Sequence, residues 1–135
     1  MADEKYFDLE IISPERTFYK GQASFLELTT SEGDVGIYKN HIPMTNVIVP
    51  GIVTIHEADG IKEAAVHSGF MVILQDSVKV MAEVAEWPEE IDANRATEAN
   101  IRAERRLKDG GAGIDLVRAE AALKRSLTRL NLVGK

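Results

Sequence analysis

The sequence predicts an all-β unit followed by an α unit: an N-terminal antiparallel β-sandwich of about ten strands, then a C-terminal antiparallel two-helix hairpin. Three observations predict it. Apolar residues recur at every second position as far as Trp87, turn signals cut that half at close intervals, and after Pro88 the apolar period lengthens to steps of three and four. The domains are therefore 1–87 and 88–135.

The strands follow in order. Phe7, Leu9 and Ile11, then Leu26 and Leu28, then Val53 and Ile55, then Val78, Val80, Ala82 and Val84 each place one face inward, as a half-buried strand requires. Ser31-Glu32-Gly33-Asp34, Pro50-Gly51, Ala58-Asp59-Gly60, Ser68-Gly69 and Gln75-Asp76-Ser77 separate them as turns. Asp59-Gly60 marks the clearest hairpin, since such a pair readily supplies positive φ angles.

The helices begin at Pro88, whose fixed φ and missing donor suit a first helical position. Glu89, Glu90 and Asp92 add negative charge where the helix dipole favours it. Ala96, Ala99, Ala103 and Leu107 form a narrow apolar seam. Asp109-Gly110-Gly111-Ala112-Gly113 breaks the helix, and Asp115 caps a second one whose seam is Leu116, Ala119, Leu123, Leu127 and Leu130. A seam rich in alanine buries little apolar area, so the hairpin is expected to be marginal alone and able to open.

Composition narrows the function. The chain has 135 residues, no cysteine and no apolar run of membrane-spanning length, and its charged start lacks a signal peptide's apolar core. Disulfides, thiolate metal sites and cysteine nucleophiles are thereby excluded. Residues 1–87 carry 6 Lys and Arg against 14 Asp and Glu, whereas residues 88–135 carry 10 against 8. An acidic chain is a poor nucleic-acid binder, and only the tail has the charge to meet phosphates. His41, His56 and His67 are scattered without metal-ligand spacing, so no metal site is expected. No nucleophile, base and orienting acid assemble, so the chain is expected to be no enzyme.

The arginines carry the functional signal. Arg95, Arg102 and Arg106 recur at steps of seven and four on the first helix, and Arg118, Arg125 and Arg129 repeat those steps on the second. Folding the helices back brings Arg95 beside Arg129 and the level of Glu98 beside Arg125. Converging guanidiniums repel unless an anion joins them, and a polyphosphate matches their fork geometry. Asp92 can orient Arg95 or accept from a ligand's amino or hydroxyl groups. The plainer alternative is a solvated face laced by pairs such as Glu98 with Arg102.

Taken together, these residues resemble the epsilon subunit of bacterial F-type ATP synthases, in particular its bacillus-like branch. In the sandwich the resemblance rests on Glu32-Gly33-Asp34-Val35-Gly36-Ile37-Tyr38, His41-Ile42-Pro43, Pro50-Gly51 and Ser68-Gly69-Phe70. In the tail it rests on Ile91-Asp92-Ala93-Asn94-Arg95-Ala96, Arg102-Ala103-Glu104-Arg105-Arg106-Leu107, Arg118-Ala119-Glu120 and Leu123-Lys124-Arg125.

The resemblance implies a central-stalk rotor subunit, peripheral on the cytoplasmic face of the bacterial membrane. It would bind the gamma subunit and the c-subunit ring through a loop bearing Glu32, Gly33, Tyr38 and His41. It also implies an arm that inhibits ATP hydrolysis when extended toward the alpha and beta subunits. ATP, with or without Mg2+, would hold the arm folded as a regulatory ligand. The residues that match its ATP site are Glu86, Ile91, Asp92, Arg95, Ala96, Arg102, Arg125 and Arg129. Thr97 stands where close relatives often have lysine. The alternative is the same rotor subunit with a purely mechanical arm that binds no nucleotide.

Overall fold

A computed structural model describes residues 5–110 and 115–134. Eight strands come first: β1 (Phe7–Ser13), β2 (Arg16–Ala23), β3 (Phe25–Thr30), β4 (Gly33–Ile37), β5 (Met44–Ile48), β6 (Gly51–Glu57), β7 (Gly60–Ile73) and β8 (Ser77–Glu86). A 3-10 turn at Pro88–Glu90 leads to α1 (Ala93–Asp109) and α2 (Leu116–Val133). The strands hydrogen-bond in the order β2-β1-β8-β7-β5-β3-β4, with β6 bridging β3 and β7, and enclose one core.

The sandwich and hairpin stand as the sequence predicts, with eight strands in place of about ten. Ser68-Gly69, read as a turn, lies inside β7. Positive φ at Ser68 (56°) and Gly69 (136°) makes a corner where β7 leaves β6 and pairs instead with β5. A Cβ on Gly69 would lie 2.0 Å from the Met81 carbonyl oxygen, so only glycine fits there. Opposite the corner, Glu83 and Val84 are both exposed and the alternation of β8 inverts, which turns Val84 outward and Ala85 inward. The β6–β7 hairpin closes at Glu57 and Gly60, so its loop is Ala58-Asp59 and Gly60, with φ 154°, opens the next strand. One ladder, β1 with β8, is parallel. These strands are far apart in sequence, so no tight turn forces them antiparallel.

The helical unit starts later than Pro88. Ile91 and Asp92 are extended, and Asp92 is the N-cap of α1, its Oδ1 accepting from the backbone N–H of Asn94 and Arg95 at 3.0 and 3.2 Å. Gly110 ends α1 in left-handed conformation (φ 53°), and Asp115 caps α2 by accepting from the Arg118 N–H. The remainder of the expected turn, Gly111-Ala112-Gly113, lies outside the described residues.

The seam of α2 also differs from expectation. Leu116 and Leu127 are exposed, while Ala119, Ser126, Thr128 and Leu132 are buried. The difference arises because α2 has two partners, α1 on one side and strands β6 and β7 on the other. A helix covered on two sides has no single stripe to read.

Candidate functional site

The arm meets the sandwich at a cavity of about 330 Å³. From β8 comes Glu86, from the linker Ile91 and Asp92, from α1 Arg95, Ala96 and Arg102, and from α2 Arg129. Glu90 and Ala99 complete its lining; from sequence they have roles in the helix but not in the site. Alanines make the space: Ala96 is buried between the helices, and with Ala99 it leaves room that a larger side chain would fill. Arg125, expected to join this group, lines a separate cleft with Arg106 and Arg118. Asn100 Nδ2 donates to Ser126 Oγ at 3.2 Å, and this buried contact sets the helix register.

The charges in the cavity divide into satisfied and free. Glu86 Oε1 accepts from Arg129 Nε at 2.8 Å and from His67 Nε2 at 3.0 Å. Burial by itself would raise the Glu86 pKa, yet the hydrogen bonds from His67 and Arg129 outweigh it and hold the carboxyl at about 2, from an ordinary 4.5. Glu90 Oε1 accepts from Arg16 at 2.8 Å and from the Trp87 N–H at 2.9 Å, and these bonds lower its pKa too. The Asp92 carboxylate is occupied by the helix cap and receives the Arg95 backbone, not its guanidinium. Among the described residues, no carboxylate pairs with Arg95 or Arg102. Two guanidiniums therefore line the cavity without an ion pair among the described residues, although Glu86, Glu90 and Asp92 lie in the same lining. The surface pair expected between Glu98 and Arg102 does not close.

His67 does not line the cavity, but as the partner of Glu86 it was missed from sequence, although the strand register holds a signal for it. Ala65 pairs with Glu86, so His67, two residues along the same face, is the diagonal neighbour of that carboxylate.

The second group of sequence-predicted residues lies elsewhere on the sandwich. Glu32 lies in the β3–β4 turn with Ser31, and Gly33, with φ 116°, opens β4. Tyr38 follows β4, 65% exposed, and stacks on Phe25 at 4.3 Å. His41 Nδ1 lies 2.8 Å from the Ile42 carbonyl oxygen. Ile42, Met44, Val47, Phe70 and Leu74 are also exposed, with Val47 directly opposite Phe70 across β5 and β7. Val47 and Phe70 form an exposed apolar cross-strand pair.

A β-sandwich followed by a helical arm is the architecture of a known class. The model of the ATP synthase, Delta/Epsilon chain, beta-sandwich domain matches residues 6–88, and that of the long alpha-helix domain of the same chain matches residues 89–134. The chain belongs to the ATP synthase delta/epsilon chain family. It is 42% identical to the ATP synthase epsilon chain of Caldanaerobacter subterraneus subsp. tengcongensis, over 98% of this chain and 96% of the relative. It is also 42% identical to that of Symbiobacterium thermophilum, over 99% and 95%, and 38% identical to that of Shouchella clausii, over 92% of each. A chain in the Euglena gracilis mitochondrial ATP synthase shares the fold, with a TM-score of 0.84 at 17% identity, covering 100% of this chain and 84% of that one.

Proposed function

We propose that this chain is a non-catalytic, central-stalk subunit of a proton-translocating ATP synthase, whose arm inhibits ATP hydrolysis when extended and is held folded by ATP. The observation that carries the reading is a pair of guanidiniums without an ion-pair partner among the described residues, Arg95 and Arg102, lining a cavity beside Ala96 and Ala99. A polyphosphate can pair with both in the bidentate geometry that arginine prefers. The cavity is built from sandwich, linker and both helices, so a ligand there binds only the folded arm. Such a ligand stabilises that state by RT ln(1 + [L]/Kd), about 1.4 kcal/mol at roughly nine times Kd, a tenfold shift in population. The exposed apolar residues of β5 and β7, with Tyr38, Glu32 and His41, support docking of the sandwich against the gamma subunit and the c-subunit ring. The extended arm reaches the alpha and beta subunits, and the whole assembly sits at the cytoplasmic face of the membrane.

Isothermal titration of the chain with ATP, with and without Mg2+, tests the ligand. Saturable binding is expected in the native chain, and its loss is expected in Arg95→Ala with Arg102→Ala, which leaves the Asp92 cap in place. Equal binding by both proteins would remove the site assignment. The Glu86 contact with Arg129, which already closes arm on sandwich without a ligand, favours a second reading in which the arm is purely mechanical. Absence of any ATP heat, with the arm still docking, would select it.

A further inference from the structure

We propose that His67 is a positioning residue for arm docking: buried in the sandwich, it fixes the Glu86 carboxylate in the orientation that receives Arg129 of α2. The ring is 1% exposed, and its Nδ1 is buried with no hydrogen-bond partner among the described residues. Among the described residues its polar contact is Nε2 to Glu86 Oε1 at 3.0 Å. A carboxylate only accepts, so Nε2 carries the hydrogen and donates. An aromatic ring with half its hydrogen-bonding capacity unmet is a costly occupant of a β-sandwich core, where an apolar side chain of similar volume would pack without that penalty. What the ring supplies in return is a donor aimed at one oxygen.

That oxygen is where arm and sandwich meet. Glu86 is the last residue of β8, beside the linker, and its side chain is 22% exposed. A glutamate at a strand end has three free torsions. The bond from His67 removes that freedom and leaves Oε1 open to the Arg129 Nε at 2.8 Å. Strand β7 thus acts on α2 through one carboxylate, beside the direct packing of α2 on β6 and β7. The chain of contact is rigid core, buried donor, carboxylate, arm. It operates without nucleotide, so it stands or falls independently of the cavity's ligand.

The experiment is amide hydrogen exchange of the full chain without nucleotide, comparing α2 with the central strands. His67→Phe keeps volume but removes the donor, and α2 should exchange about tenfold faster while the strands stay protected, in line with losing the alignment of a hydrogen bond to a charged group. His67→Gln, whose amide nitrogen reaches the place of Nε2, should restore slow exchange. In a Glu86→Leu background, which has no acceptor at that place, His67→Phe should cause no further acceleration. Native α2 exchange in His67→Phe, or an equal acceleration in the Glu86→Leu background, would overturn the assignment by showing that the ring acts through packing alone. Should His67→Phe fail to fold, His67→Gln against His67→Asn decides, because the shorter amide falls short of Glu86. Slower exchange in Gln than in Asn supports the role, and equal exchange overturns it.

Discussion

The sandwich and the arm bury different things. Within the sandwich Leu9, Ile11, Leu26, Ile55 and Met71 are no more than 1% exposed, whereas the arm buries Ala96, Ala103 and Ala119 with Asn100, Ser126, Thr128 and a single leucine, Leu132. Each large aliphatic side chain removed from water contributes about 1.5–3 kcal/mol, and an alanine methyl far less. The sandwich is therefore held by area that nothing can replace, and the arm by polar contacts that other groups can make equally well. A folded arm with this composition is exchangeable, which is what a moving part requires.

Met71→Ala probes the committed side and has the largest expected effect. It should lower the stability of the sandwich by about 2–5 kcal/mol, read as a fall in the denaturant midpoint with unchanged slope. Unchanged stability would mean that the sandwich is as loosely held as the arm.

Acidification probes the exchangeable side. The Glu86 pKa is lowered in the docked arm, so its contribution is complete above the ordinary value of 4.5 and is lost as pH falls from there toward about 2. Because the pair is partly exposed to water, the effect is about 1 kcal/mol. Two dyes on introduced cysteines, one on the sandwich and one on α2, report it cleanly since the chain has none of its own. The inter-dye distance should lengthen over that pH interval in native chain and stay flat in Glu86→Gln.

The smallest effect is expected from Asn100→Leu with Ser126→Ala. Replacing both partners of a buried hydrogen bond by apolar groups is near neutral for stability. The same dyes should show the arm equally or more closed, and an arm that opened would make this contact the principal clasp of the hairpin.

Much of this contrast could be read from sequence. Strand faces such as Phe7, Leu9 and Ile11 are legible because alternation is local, and so are the Asp115 and Gly110 helix ends. The Ser68-Gly69 corner was not, because a positive φ inside a strand uses the same residues as a turn. The buried side of α2 was not, since it depends on the sheet as a second partner. At the site, the spacing of Asp92, Arg95 and Arg102 follows from one helix. Arg125 and Arg129 share a face of α2 one turn apart, and only Arg129 lies at the level of the cavity, which depends on where the arm docks along the sandwich. His67 needed the β7–β8 ladder to become visible.

The 3-10 turn adds a mechanical consequence. Glu90 is tied to Arg16, and Trp87 stacks on Phe18 with ring centroids 4.3 Å apart, so the linker is riveted to the sandwich up to residue 90. A swing of the arm then has its fulcrum at Ile91 and Asp92, the two extended residues ahead of α1. Re-aiming a two-residue pivot changes only about four backbone torsions, and α1, with 17 residues at about 1.5 Å each, becomes a crank of roughly 26 Å. Small rotations at the fulcrum become long travel at the tip.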